Sequence, residues 1–194
     1  MGRKTLDRLL AAGGLVVAAV LLVASGLLYW AHSFVDHEVH AQLAAQQIFF
    51  PPKGSESLAD PLVKSYLERY AGEQLVNGTQ AHAYADHFIA VHVAKIGGGK
   101  TYAQLSSEAQ ADPTDTELAG TVQTVFRGET LRGLLLDAYA FGKMGQIAFW
   151  AAGVAVLGAL VMTVLSVLGF AHARGALDPP PVPSEPDRTP LIVA

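Results

Sequence analysis

The residues whose types and spacing could do chemistry begin just after the first long apolar segment. His32, Asp36 and His40 recur every four residues, which places the three side chains on one face of a helix. Two imidazoles and a carboxylate on one face could ligate zinc, copper or iron. The alternative is a solvated or interfacial face without a ligand, since long amphipathic helices often carry polar residues in this way.

A second group of histidines lies in the middle of the chain. His82, His87 and His92 are five residues apart, and a helix offsets residues at that spacing by about 140°. One helix therefore cannot present all three together, although His82 and Asp86 can pair at i, i+4. A site shared with the first group would need this region to fold over the first helix.

Residues 94–101 (AKIGGGKT) resemble a phosphate-binding loop, whose glycine backbone cradles phosphates while Lys and Ser/Thr handle charge and magnesium. The first position is alanine instead of glycine, and the preceding segment is not clearly a strand. We interpret the glycines as the end of one helix before the start of another.

A cluster of three charged residues, Arg127, Glu129 and Arg132, lies upstream of the second apolar segment. Glu129 and Arg132 can pair at i, i+3, and the alternative is contact with lipid headgroups or a partner protein. No serine is accompanied by an assignable base. The absence of cysteine excludes disulfides, thiol catalysis and thiolate metal sites.

The elements that must position these residues follow from composition. Of 194 residues, 51% are hydrophobic and 15% are charged, whereas soluble domains carry roughly 25% charged residues. This composition excludes a long disordered chain, and the net charge of −4 lacks the basic footprint of nucleic-acid binding. It indicates a membrane protein with a sizeable polar part.

Two charge-free segments, residues 9–31 and 144–172, can each cross a bilayer. A span needs about 20 apolar residues and must be helical, because hydrocarbon offers no partners to the backbone. A cleaved signal peptide is the alternative for the first segment. Its apolar run exceeds the usual length of about 7–15 residues, and Tyr29 and Trp30 close it as interfacial anchors.

Basic residues predict the orientation. Arg3, Lys4 and Arg8 precede the first span, and no Lys or Arg follows until Lys53, so the positive-inside rule places the N-terminus in the cytoplasm. Two spans return the chain to the same side. The predicted regions are a cytoplasmic N-terminus (residues 1–8), an extracytoplasmic helical domain (residues 32–143) and a proline-rich cytoplasmic tail (residues 173–194).

Small residues recur at helical spacing on both spans, and small faces let helix backbones approach closely. We expect the spans to pack on each other or on copies of themselves, the alternative being the transmembrane helix of a partner. Neither span contains Asp, Glu, Lys or Arg, which argues against a transporter or channel built from this chain alone. The candidate packing residues are Gly14, Ala18, Ala151, Ala155 and Ala159.

The extracytoplasmic domain is predicted to be helical. The first helix should continue outward and end at Phe49–Pro52, because proline disfavours a helical residue before it. Asp60-Pro61 should start a short helix. Residues 80–96 favour a helix, with a strand over residues 87–93 as the alternative, and Thr114 starts a capping box for the last helix. A domain this small has little core of its own, so we expect it to pack on the emerging helices.

Several strings resemble a family of uncharacterised actinobacterial two-span membrane proteins. They are IFFPP at residues 48–52, YADHFIAVHVA at 84–94, GGKTYAQ at 98–104 and QTVFRGETLRGLLLDAYAFG at 123–142. The resemblance covers most of residues 9–171 and implies a plasma-membrane protein. Some members carry an aromatic ring-opening dioxygenase label. That chemistry needs an iron site, and the only candidate here is the set His32, Asp36 and His40; the resemblance itself carries over no catalytic residue.

The sequence therefore predicts an all-α membrane protein with two transmembrane helices and a small helical extracytoplasmic domain. We expect a non-enzymatic interaction or accessory protein without a cofactor. It would contact the lipid bilayer and a membrane or envelope protein or its own copies, and no nucleic acid. The main alternative is a metal-binding protein or metalloenzyme using His32, Asp36 and His40, and a further one is a sensor of a small ligand or lipid.

Overall fold

The structure, a computed structural model, describes residues 3–175. The proline-rich tail predicted from residue 173 lies, from residue 176 onward, outside the described residues. Residues 3–175 are all-helical and contain no strand beyond one isolated bridge between Phe49 and Gln74. The α-helices are α1 (Arg3–Ala45), α2 (Pro61–Leu67), α3 (Gly78–Tyr84), α4 (Ala90–Ile96), α5 (Tyr102–Ala111) and α6 (Thr116–Gly175).

Shorter helical turns complete the segment between α1 and α6. Two 3₁₀ turns cover Glu56–Leu58 and Glu68–Tyr70. A π-helical turn, Ala85–Ile89, joins α3 to α4, so helical backbone runs from Gly78 to Ile96. The helix predicted over residues 80–96 is therefore confirmed, and the strand alternative is wrong.

Two helices, α1 with 43 residues and α6 with 60 residues, are long and apolar enough to cross a membrane. The two predicted spans lie within them, and the helices continue past the apolar segments. The described residues form two compact units. The membrane unit consists of residues up to Val23 and from Ala155 onward, and the connecting unit is Ala24–Val154.

In the membrane unit, α1 and α6 meet through small residues. Gly14 and Ala18 on α1 and Ala159 on α6 are buried. A Cβ added at Gly14 would lie 2.2 Å from the Ser166 hydroxyl, so the absence of a side chain permits this approach. Of the other predicted packing residues, Ala155 of this unit and Ala151 of the connecting unit are half-buried.

The connecting unit has a hydrophobic core of its own, to which both long helices contribute. Leu43 comes from α1, and Val125 and Leu135 come from α6. The rest of the core comes from the shorter elements and the loops between them: Phe50, Leu58, Val63, Leu67, Leu75, Ala81, Ala85, Ile89, Val93 and Leu105. The small helices thus pack on the long helices, as expected, but most of the buried core residues come from the segment between the long helices, which buries more than the sequence predicted.

The end of α1 differs from the prediction. The helix ends at Ala45, before the Phe49–Pro52 segment, and Gln47 adopts a left-handed backbone with φ 52°. The Gln74 side-chain amide donates a 2.8 Å hydrogen bond to the carbonyl of Ala44. A tertiary contact therefore caps the final turn, and the prolines are not what ends the helix.

Helix starts are close to their predicted positions. Asp60 caps α2 by accepting from the Leu62 amide, with Pro61 as the first helical residue, as predicted. Asn77 caps α3, its side-chain oxygen accepting from the Gln80 amide. The predicted capping box of Thr114 does not form: Thr114 bonds to Asp112, and α6 is capped one residue later by the Asp115 carboxylate, which accepts from the Leu118 amide at 2.8 Å.

Candidate functional site

A polar cleft of about 570 Å³ lies between α1, α6 and the start of α3 in the connecting unit. The predicted stripe of His32, Asp36 and His40 forms its α1 wall. Lys143 and Gln146 line it from α6, together with aromatic side chains and the Asn77–Thr79 segment. The aromatic lining residues are Tyr70, Tyr139, Phe149 and Trp150.

His32 is the most firmly oriented of the three stripe residues. Its Nδ1 lies 3.0 Å from the carbonyl oxygen of Gly145, to which a protonated Nδ1 donates. Its ring centroid is 5.1 Å from that of Phe149. Because Nδ1 is used in this way, Nε2 is the ring nitrogen left to face a ligand.

The stripe does not form a closed ligand set. Among residues 3–175, no three His, Asp or Glu side chains come together closely enough to hold a metal ion. Asp36 and His40 are exposed in the cleft wall and have no hydrogen bond or ion pair within the described chain. The cleft therefore presents separate polar groups around a volume larger than one ion.

Two glycines set the width of the cleft. A Cβ added at Gly78 would lie 3.1 Å from both the carbonyl oxygen of Ala138 and the Cα of Tyr139. A Cβ at Gly142 would approach the Cα of Gly78 at 3.5 Å. The start of α3 thus rests directly on the backbone of α6, and larger residues there would separate the cleft walls.

Ionic contacts beside the cleft involve the predicted interaction residues. Arg132 contacts the Asp86 carboxylate at 2.9 Å and Glu129 at 3.4 Å. The other oxygen of Asp86 lies 3.2 Å from His82 Nε2. Arg127 is exposed and does not join this network. Arg132 thereby links α6 to the π-helical turn, a backbone irregularity that is frequent at functional sites.

His87, next to Asp86 in the chain, is held by stacking on an aromatic ring. The rings of His87 and Tyr66 are parallel to within 1° with centroids 3.5 Å apart. Loss of water around His87 lowers its pKa below the usual value, against an opposing contribution from Asp86. His92 does not join the others, since its Nδ1 bonds to the carbonyl of Phe88 at 2.7 Å.

The glycine-rich segment ends one helix and begins another, as interpreted from the sequence. Gly98 and Gly99 have positive φ angles after α4. Lys100 pairs with Glu108 at 2.7 Å, and Thr101 caps α5 in a reciprocal box with Gln104. The lysine and threonine that a phosphate loop would use are thus engaged in local structure.

A second concavity, the apolar groove, runs along α1 and α6 in the connecting unit and has a volume of about 500 Å³. Its walls include Phe34, Leu134 and Phe141, and its only charged lining residues are Glu38 and Asp137. No Lys or Arg contributes to this lining. The groove is therefore apolar with an acidic rim.

Sequence reasoning missed most of the contacts made across the chain. The Asp86–Arg132 pair joins residues 46 positions apart, and no local pattern identifies it. The close approach at Gly78 had a weak signal in Gly142 and Gly145, which fall on one side of a helix.

In comparisons with known proteins, no family model, curated protein or solved structure matches the chain. The resemblance to actinobacterial two-span proteins stays a prediction.

Proposed function

We propose that this chain is a membrane-anchored, non-catalytic interaction protein whose connecting unit lies outside the cytoplasm and binds another membrane protein. The observation that carries the proposal is the apolar groove, which lies beyond the predicted spans. Phe34, Leu134 and Phe141 are 54%, 62% and 54% exposed there. Contiguous apolar surface of this kind marks interaction sites.

The chemistry of the groove indicates the occupant. One end, at Phe34 and Phe141, is close to the predicted span boundaries, and the other reaches Ile48 and Leu131. A helix that emerges from the bilayer could continue along this path. An apolar face would fill the groove, and Lys or Arg beside that face would complement Glu38 and Asp137. The proposed partner is therefore a membrane protein with a basic, amphipathic juxtamembrane helix.

Photo-crosslinking in intact membranes tests this binding. A photoreactive amino acid at Leu134 should give a specific adduct, whereas one at exposed Gln123, earlier on α6, should give none. Asp137→Lys should weaken the Leu134 adduct at least about tenfold by repelling a basic partner, a loss of about 1.4 kcal/mol. Glu117→Lys, a matched charge reversal outside the groove, should leave it unchanged.

Two results would overturn the proposed partner. Equal adducts from Leu134 and Gln123 would show that the groove has no special role. An adduct with twice the 20.4 kDa mass of the chain would assign the groove to a second copy.

The membrane placement has a separate test, because the chain has no cysteine of its own. Ser57→Cys, exposed in the connecting unit, should react with a membrane-impermeant maleimide in intact cells. Thr5→Cys, exposed near the N-terminus, should react only after permeabilisation. The opposite labelling pattern would reverse the proposed orientation.

A further inference from the structure

The polar cleft is separate from the apolar groove, and its charged residues have no role in the proposed partner binding. It holds one carboxylate, Asp36, and one ammonium group, Lys143, on opposite helices. The two do not pair with each other. Asp36 has no polar partner within residues 3–175. Lys143 Nζ bonds to the side-chain oxygen of Gln146 at 3.1 Å and lies 5.7 Å from the centre of the Tyr139 ring. A ligand that carries both a negative and a positive group would complement both.

The predicted level of the cleft narrows the ligand class. Asp36 follows the predicted end of the first span by five residues, a rise of about 7.5 Å, and Lys143 directly precedes the second span. The polar layer on each side of a bilayer is about 5–8 Å thick. Trp150 and Phe149 line the cleft, and tryptophan is typical of this interfacial region. The cleft would therefore lie among phospholipid headgroups.

We infer that the cleft binds the headgroup of a zwitterionic phospholipid with a primary amine, that is, an ethanolamine-type lipid. Lys143 contacts the phosphodiester, and Asp36 accepts hydrogen bonds from the ammonium group, because charge-assisted bonds are stronger than neutral ones. Nε2 of His32 and the Asn77 amide supply further polar contacts. This inference rests on the membrane placement in the proposed function but not on the apolar groove.

The aromatic residues favour an ammonium with N–H donors over a quaternary one. Recognition of choline uses a cage of open aromatic faces. Here Tyr139 is covered by His82, with ring centroids 4.3 Å apart, and Phe149 is against His32 and Trp150. Trp150 is 68% exposed, but a single open ring does not make a cage, and the exposed Asp36 carboxylate is therefore the group that selects the amine.

Native mass spectrometry of the full chain in mild detergent tests the inference, with short-chain phosphatidylethanolamine, phosphatidylcholine and phosphatidylglycerol as probes. The ethanolamine lipid should bind at least about tenfold more tightly than the other two. Asp36→Asn should abolish its preference over the glycerol lipid, while Lys143→Gln should weaken binding of all three. The matched controls Asp112→Asn and Lys53→Gln, both at exposed sites, should bind like the parent chain.

Further probes distinguish a membrane lipid from a free, soluble headgroup as the ligand of the cleft. Glycerophosphoethanolamine, the headgroup without chains, and inorganic phosphate should bind far more weakly than the lipid. If the soluble headgroup binds as tightly as the lipid, the ligand is a free zwitterion and the lipid assignment is overturned. Equal binding of ethanolamine and choline lipids, unchanged in Asp36→Asn, would overturn the site itself. Labelling of Ser57→Cys in intact cells reports on membrane placement independently of these results.

Discussion

The membrane unit and the connecting unit are both helical, but different contacts hold them. In the membrane unit, small residues such as Gly14 and Ala159 bring two helices together while large apolar side chains face outward. Leu22, near the middle of α1, is 54% exposed. In the connecting unit, Leu67 and Val63 are fully buried in a core of the kind found in soluble domains. Large apolar side chains are therefore exposed on the long helices of one unit and buried in a core in the other.

The largest expected effect comes from truncating the core of the connecting unit. Leu67→Ala should lower the free energy of unfolding by about 2–5 kcal/mol, through lost transfer energy and the cavity left behind. Urea unfolding of the full chain in mild detergent measures the change. Leu62→Ala, on the same helix but 66% exposed, should change stability by less than about 0.5 kcal/mol. Equal effects at the two positions would contradict the assigned core.

Alanine substitutions of glycine should have an intermediate effect on stability. The cost should depend on whether the added Cβ meets backbone or a side chain. Gly78→Ala should cost about 1–3 kcal/mol, since its Cβ meets the α6 backbone, which cannot move freely. Gly14→Ala should cost less, because the Ser166 hydroxyl that it meets can rotate away. Thermal unfolding measures both substitutions.

Two controls sharpen this glycine comparison. Gly133→Ala, with no atom within 4 Å of the added Cβ, should be neutral or stabilising by up to about 1 kcal/mol. Adding Ser166→Ala to Gly14→Ala should remove the remaining cost. A larger loss from Gly14→Ala than from Gly78→Ala would reverse the proposed difference between the units.

The smallest expected effect is a pH dependence confined to the connecting unit. Burial against Tyr66 lowers the pKa of His87, so the unfolded chain binds this proton more readily than the folded chain. The contribution of His87 to stability is full above the unfolded pKa of about 6.5 and is lost as pH falls toward the lower folded pKa. His87→Phe keeps the stacked ring and should reduce this slope in urea unfolding at pH 5 to 8. An unchanged slope would assign the dependence to other groups.

Sequence reasoning was most successful where structure depends on neighbours along the chain. Asp60-Pro61 identified the start of α2 because a cap and a proline act within one turn. Charge-free stretches likewise located the two long helices. The end of α1 was wrong because Gln74, thirty residues away, caps Ala44. Only one wall of the polar cleft could be predicted. Periodicity predicted the wall on α1, but the wall on α6 depends on how Gly78 packs against Ala138 and Tyr139.

The paired backbone at the end of α1 has a consequence for loop closure. Phe50 donates to the carbonyl of Glu73 at 2.9 Å, and Leu75 donates to that of Ile48 at 2.8 Å. These bonds close the segment between residues 50 and 73 into a loop. The entropic cost of closing a loop grows slowly with its length, by about 0.6 kcal/mol for each doubling. An epitope inserted at exposed Gly54 would lengthen this loop and leave the hydrogen bonds between residues 48–50 and 73–75 in place. This position therefore offers a site for a tag in full-length protein.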